Sequence, residues 1–390
     1  MPVPSVVTGP HDPLHCTHMP APPPPAPPLC TSADELTRAT ALLVDADLLA
    51  LDTEFMRTNT YAPLLCLVQI ASRQQLFCVD ELAEFDSQLL WQAIVNRRPL
   101  CVLHAAKQDL EVIRLSHGLM LPTLFDTQIA AGLAGHAPQI GYGKLVSSML
   151  GIELDKAHTR ADWSRRPLNE GLLRYAAEDV LYLPELYDRL KAQLEEQGRL
   201  DWAIEDSLAL LDPALYETRP EDAWQRLSGL SLLPAAAQQR ARRLAAWRES
   251  RAISSNRPRQ WILSDRTILD IARSAPADST ALAACEEMPP AVVRRHSEAL
   301  LAEIALAAED DLAAAQGSLI VQQEALDQGE YRRLAKLVAE IAAGLGIAPE
   351  ILATRRDISA LMRGERSLRI LRGWRQAIVG EPLLAALPAA

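Results

Sequence analysis

Asp52 and Glu54 stand two residues apart at the end of the apolar run Leu48-Leu49-Ala50-Leu51, and this pairing constrains the chain more than any other feature. The run reads as a buried β-strand. Strand side chains alternate between faces, so residues i and i+2 share one. Two carboxylates then project side by side from the tip of a core strand. There they repel each other and lose solvation unless something positive pairs with them. A divalent cation is the economical partner; a solvated strand end is the plain alternative.

Two more acids favour the cation. Asp109 follows the apolar run Leu100-Cys101-Val102-Leu103-His104 and opens a helix-like segment over 110–115. Tyr175-Ala176-Ala177-Glu178-Asp179 lies inside a helical pattern from about 169 to 196, which Pro184 should kink. Tyr175 and Asp179 are four apart and so share one helix face. Asp-x-Glu on a strand, an Asp after another strand and Tyr-x-x-x-Asp on a helix resemble the DEDD exonucleases, tyrosine subclass. The stretch Asp52-Thr53-Glu54-Phe55-Met56-Arg57-Thr58-Asn59-Thr60-Tyr61 closely resembles the ribonuclease D family. So does Gly151-Ile152-Glu153-Leu154-Asp155-Lys156, continuing through Trp163 and Arg166-Pro167-Leu168 to Tyr175. The resemblance spans roughly residues 33 to 375.

The resemblance implies a ribonuclease-H-like α/β exonuclease domain, a mixed sheet flanked by helices, followed by two small all-α domains of the HRDC type. It implies a 3′→5′ exoribonuclease that trims tRNA precursors at single-stranded 3′ ends and releases nucleoside monophosphates. Asp52, Glu54, Asp109 and Asp179 would hold two divalent ions, Mg²⁺ or Mn²⁺, which suit hard oxygen ligands. Asp52 would bridge both ions, Glu54 and Asp179 would favour the ion that activates water, Asp109 would act through water, and Tyr175 would orient the attacking water. A DNA exonuclease on the same fold and a non-catalytic RNA-binding scaffold are the alternatives. Absence of a polymerase region and presence of all five site residues speak against them.

Other residues invite RNA. Arg57 could meet a phosphate and Tyr61 could stack on a terminal base, with Phe55 and Met56 wedged beside it. Lys156, Arg160, Arg165 and Arg166 form a basic segment before the tyrosine motif. His104 could join them, although a packed or hydrogen-bonded histidine is the plainer reading. Asp155 and Asp162 read as helix caps or solvated loop acids.

Domain organisation follows from composition. Residues 1–31 hold 11 of the 27 prolines and read as a disordered tail, within which Met19 offers an alternative initiator. The first thirty residues lack Lys and Arg, so no signal-peptide n-region is expected. Residues 32–200 alternate strand-like runs (48–55, 64–71, 76–79, 100–104) with helical patterns and carry a net charge of −7. Beyond residue 201 only helical patterns recur: an HRDC-type domain over 219–306, an acidic linker over 307–330, and a second HRDC-like domain over 331–380. The whole chain carries −11, which repels a polyanion, yet residues 219–275 carry +6 and residues 355–375 carry +5. Arg366, Arg369, Arg372 and Arg375 recur every third residue and read as a basic stripe on one helix. The six cysteines show no metal-ligand spacing and fit free thiols in a reducing cytoplasm. No run reaches the ~20 apolar residues of a membrane span. No Gly-rich phosphate loop is present, so no nucleotide cofactor is expected, and a monomer is the simplest assembly.

Overall fold

The computed structural model describes residues 26–154, 161–314 and 327–387. Six strands form one mixed sheet in the order β1-β4-β3-β2-β5-β6. They are β1 (Leu29–Cys30), β2 (Leu48–Met56), β3 (Leu64–Ala71), β4 (Leu76–Asp80), β5 (Leu100–Leu103) and β6 (Phe125–Asp126). The middle of the sheet, β2-β3-β4, is an antiparallel meander. On the flanks β1 runs parallel to β4, β5 to β2, and β6 to β5. Leu29 and Cys30, assigned to the proline-rich tail by composition, are therefore part of the sheet; two-residue strands carry no readable period. The rest of the expected tail, residues 1–25, lies outside the described residues.

Helices cover both faces, so the central strands are apolar throughout rather than alternating. On one face α1 (Ala33–Ala41), α2 (Gln88–Arg97) and α3 (Lys107–His117) bury Leu36, Trp91 and Leu110 against Leu49, Leu51, Val68 and Ile70. Ser32 caps α1 by accepting from the Glu35 amide. On the other face lie α4 (Thr127–Ala134), α5 (Tyr142–Leu150), α6 (Glu170–Leu181), α7 (Leu183–Glu196) and α8 (Leu200–Ala209). Their core includes Leu48, Ala50, Val102, Val180, Leu186 and Leu190. The helical pattern over 169–196 is thus two helices. Pro184 lies in the first turn of α7, where its missing N–H costs nothing, instead of kinking a continuous helix.

A separate helical unit follows: α9 (Ala235–Ser255), α10 (Arg259–Ile262), α11 (Asp265–Ser274), α12 (Ser279–Ala283) and α13 (Pro290–Ala314). Its core, with Leu244, Leu263, Ile268, Ile271 and Leu300, is its own. The expected acidic linker is partly helix: α13 runs to Ala314, residues 315–326 lie outside the described residues, and α14 (Gln328–Leu345) has begun by Gln328.

The C-terminal helices α14, α15 (Pro349–Leu352) and α16 (Arg355–Met362) do not make a core of their own. Leu334, Val338, Leu352, Leu361 and Trp374 belong to the same cluster as Leu48, Val102 and Leu186. Trp374 stacks on Trp202 of α8 with ring centroids 4.3 Å apart, and Arg375 pairs with Asp206 at 2.6 Å. The second HRDC-like domain is in this sense an extension of the exonuclease core, which does not end near residue 200. The basic stripe also fails. Residues 363–368 are not helical, and 369–380 are short 3₁₀, α and π turns, so a three-residue repeat has no common face. Arg375 is buried on Asp206 and Arg369 pairs with Asp357 at 3.0 Å.

Candidate active site

The expected alternation is present. Asp52 and Glu54 share a face of β2 while Thr53 is buried on the other. β2 lies in the middle of the sheet: β5 pairs with its start, Leu48 to Ala50, and β3 with its acidic end. α6 lies over β2 and β3 and carries Tyr175 and Asp179 to the acidic pair. Carboxylate oxygens of Asp52, Glu54 and Asp179 lie within 4.8 Å of one another. Asp109, in the first turn of α3, comes from the opposite face and accepts a hydrogen bond from the Thr53 hydroxyl at 2.6 Å. Tyr175 stacks near Trp163, ring centroids 6.3 Å apart, so its ring is partly walled in.

The electrostatics are those of a site short of positive charge. Burial lifts the Asp52 carboxyl far above its ordinary range, and Asp109, Asp179 and Glu54 push it further. Burial, then Asp179 and Asp109, raise Glu54 to about 8. Burial, then Glu178 and Asp109, raise Asp179 to about 7. Asp109 rises only to about 6, because burial is opposed by its hydrogen bond from Thr53. Tyr175 is pushed up to about 12 by burial and the carboxylates, so its phenol is a neutral hydroxyl at pH 7. Among the described residues no Lys or Arg pairs with these four acids. All-oxygen donors that repel one another, with no internal cation, fit a hard divalent ion. The donor set is that of divalent-metal use.

Several positioning residues carry no sequence signature. Asp126 accepts from the Ala105 and Ala106 amides at 3.1 and 2.9 Å, fixing the turn into α3, and also caps α4. The Tyr142 hydroxyl donates to the Glu178 carbonyl at 2.9 Å and accepts from the Tyr182 amide at 3.3 Å. It thereby pins the break between α6 and α7 next to Asp179. Gln69 faces Asp52 directly across β2–β3 and is wholly buried, with neither side-chain amide atom hydrogen-bonded. These contacts join residues 20 to 40 apart or on neighbouring strands, and no local pattern announces them.

The expected RNA contacts divide. Arg57 pairs with Glu111 at 3.0 Å and remains half-exposed. Phe55 packs against the core on the α1–α3 face, and Met56 packs beside Trp163 and Tyr175. His104 is committed to the fold. Its Nε2 lies 2.9 Å from the Ile140 carbonyl, which can only accept, and its Nδ1 lies 2.9 Å from the Thr127 hydroxyl, which also reaches the Leu103 carbonyl at 3.0 Å. Burial holds this imidazole below its ordinary value. Arg166 is spent as well. Its guanidinium donates to Asp80 twice at 2.6 Å and to the carbonyls of Trp163, Arg165 and Cys66. The strand register shifts after Glu54, leaving Cys66 without a partner on β2, and Arg166 takes up its carbonyl. Arg165 pairs with Asp162, which also accepts from Ser164. Asp155, Lys156 and Arg160 lie outside the described residues.

Tyr61 is engaged by the helical unit. Its hydroxyl donates to Glu249 of α9, and the Arg259 guanidinium lies over its ring, 4.9 Å from the centroid. Glu249 is fully buried and also accepts from Arg259 at 2.7 Å and Arg226 at 3.4 Å. The Asn256 side chain accepts from the Tyr61 and Ala62 amides, both at 3.1 Å. These contacts latch the helical unit to the segment that leaves the acidic strand.

Comparison with known proteins agrees with this architecture. Residues 29–195 match the family model of 3′-5′ exonucleases and residues 237–304 that of the HRDC domain. The chain is 37% identical to ribonuclease D of Gluconacetobacter diazotrophicus, with 93% of each chain covered. It is 38% identical to ribonuclease D of Pseudomonas paraeruginosa, covering 88% of this chain and 92% of that one. The crystal structure of Escherichia coli RNase D, described as an exoribonuclease involved in structured RNA processing, superposes with a TM-score of 0.83 at 27% identity. That match covers 92% of this chain and 98% of the other. A helical region with one HRDC match, a two-faced mixed sheet and a carboxylate cluster at its centre all point the same way: the chain belongs to the ribonuclease D family.

Proposed function

We infer that the chain is a divalent-metal-dependent 3′→5′ exoribonuclease that removes nucleoside 5′-monophosphates from single-stranded 3′ ends, tRNA precursors among them. The observation that carries this reading is the meeting of Asp52, Glu54 and Asp179 within 4.8 Å, with no cationic side chain paired to them among the described residues. Asp52, Glu54 and Asp179, with Asp109 behind them, would hold two ions of the Mg²⁺ or Mn²⁺ class. Such ions neutralise the carboxylates, acidify the attacking water and stabilise the leaving oxygen.

The chain's own groups do the rest. Tyr175, kept protonated, offers a hydroxyl that orients water without competing as a base at neutral pH. Trp163 fixes the plane of its ring. The Thr53 hydroxyl holds one Asp109 oxygen in place. Arg57, half-exposed beside Glu111 and three residues beyond Glu54, would meet a phosphate of the substrate. No helix among the described residues is long and apolar enough to cross a membrane, and five buried free thiols suit the reducing cytoplasm in which we place a monomeric enzyme.

The test is a 5′-labelled unstructured RNA incubated with the protein in Mg²⁺ or in EDTA, beside the same sequence as DNA. Stepwise shortening of the RNA from its 3′ end in Mg²⁺ alone is expected. Intact RNA with degraded DNA would transfer the assignment to a DNA exonuclease, and no cleavage of either would leave a binding scaffold.

A further inference from the structure

Beyond the Asn256 latch, the helical unit holds a cavity of about 330 Å³ lined by Arg251, Arg257, Arg295, Trp261, His296 and Val292 among others. Trp261 is 59% exposed, although a side chain of this size usually buries most of its surface. The short α10 turn explains the geometry: Ile262 and Leu263 enter the core and Trp261 is left facing out.

The arginines differ from those around them. Arg226 and Arg259 pair with Glu249, Arg248 with Asp265, Arg243 with Glu303 and Arg266 with Glu286. Arg251, Arg257 and Arg295 enter none of the ion pairs seen among the described residues, and no acid lines the cavity. Their field reaches His296, whose imidazole is held below its ordinary value by burial and then by Arg251 and Arg295. The His296 ring packs edge-on against Trp247 at 5.5 Å, which stiffens that wall.

We propose that this cavity is a binding site for single-stranded RNA upstream of the 3′ end, with a base stacked on Trp261 and flanking phosphates met by Arg251, Arg257 and Arg295. An aromatic face among uncompensated cations is what a single strand needs, since every base has a π-face and every linkage a charge. An acidic peptide would use the arginines and leave the indole idle. The cavity is also tied to the catalytic unit. Ser255 and Arg257 in its wall flank Asn256, which holds the backbone of Tyr61 and Ala62 just past the acidic strand. A strand lying in the cavity is therefore anchored on a surface fixed to the exonuclease domain. This proposal rests on the exoribonuclease reading.

The experiment measures equilibrium binding of the full chain to a short unstructured RNA, fluorescent at its 5′ end, in EDTA and over a range of salt. Trp261→Ala should weaken binding about tenfold, as loss of one stacking platform does, and Trp261→Phe should restore most of it. The double variant Arg251→Ala, Arg295→Ala should weaken binding and flatten the log–log salt slope by roughly 0.7 per lost phosphate contact. Melting curves check folding, and the exposure of Trp261 keeps that variant informative. Wild-type affinity in a folded Trp261→Ala protein, or an unchanged salt slope in the double variant, overturns the proposal. Hydrolysis of the same RNA by the wild type in Mg²⁺ is read separately, so failure of the exonuclease reading shows as absent cleavage and not as altered binding.

Discussion

Two of the places where this molecule buries carboxylates solve the problem in opposite ways. Glu249 is wholly buried, yet Arg259, Tyr61 and Arg226 donate to it, and they hold its carboxyl below the ordinary range against the effect of burial. Asp52, Glu54 and Asp179 gather at the tip of β2, with Asp109 held by Thr53 behind them; among the described residues no arginine or lysine pairs with these acids, and every one of them is raised. The first is a finished structural joint. The second is a deficit of positive charge that the fold maintains from three directions, β2, α3 and α6. A fold keeps such a cluster at the expense of its own stability, and an exogenous cation is what offsets the cost.

The largest effect expected from breaking the second region is on turnover. Asp179→Asn should reduce hydrolysis of single-stranded RNA by ~10³-fold or more while the protein keeps its melting temperature, because an amide is a poor ligand for a hard cation and removes a repelling charge. Single-turnover rates of the variant within tenfold of wild type would remove Asp179 from the site.

Tyr175→Phe tests the group beside the carboxylates and should cost roughly 10²–10³-fold in turnover with RNA affinity unchanged, the scale of a lost orienting or proton-handling hydroxyl. Trp163 still packs against the phenylalanine ring, so the helix should not move. A variant with normal turnover would make Tyr175 a packing residue.

Changing pH separates the two regions without a mutation. The raised acids bind more protons folded than unfolded, so their contribution is fully present below the unfolded carboxylate range. It is lost as pH climbs through about 6, 7 and 8, the values of Asp109, Asp179 and Glu54. The protein in EDTA should therefore melt at progressively lower temperature between pH 5 and pH 9 by this mechanism, and Mg²⁺ should reverse most of the loss at the alkaline end. Glu249, depressed, acts with the opposite sign and only in the acid range: its contribution is present above the unfolded value and lost as pH falls through the folded one.

The smallest effect is at the joint itself. Glu249→Gln keeps the shape but weakens hydrogen bonds to two arginines, which should cost about 2 kcal/mol in denaturant unfolding and leave the metal response intact. A loss of Mg²⁺ stabilisation in this variant would mean that the two regions are coupled and not merely contrasted.

Much of this was legible in the residues. The strand-like runs at 48–55, 64–71, 76–79 and 100–104 fall on β2 to β5 within a residue, because central strands covered on both faces must be apolar throughout. The positions of Asp52, Glu54, Tyr175 and Asp179 follow from the two- and four-residue periods of strand and helix. What could not be read is whatever depends on a distant partner. Arg166 looks available as a cation, yet Asp80, 86 residues away, holds it, whereas His104 is the hydrogen-bonded histidine of the plainer reading, fixed by the Ile140 carbonyl 36 residues away. Tyr61 looks like a stacking residue until Glu249, 188 residues later, takes its hydroxyl. The arginines over 366–375 misled for a different reason: a period was read on the assumption of a helix that the short turns there do not supply.

The acids at the tip of β2 form a charge cluster kept for a cation. Melting temperature at pH 8 against Mg²⁺ concentration, for the wild type and Asp52→Asn, tests it directly. In EDTA the variant should melt at least as high as the wild type; Mg²⁺ should raise the wild-type curve to a plateau and leave the variant nearly flat. A variant that is less stable in EDTA and gains as much from Mg²⁺ as the wild type would contradict it.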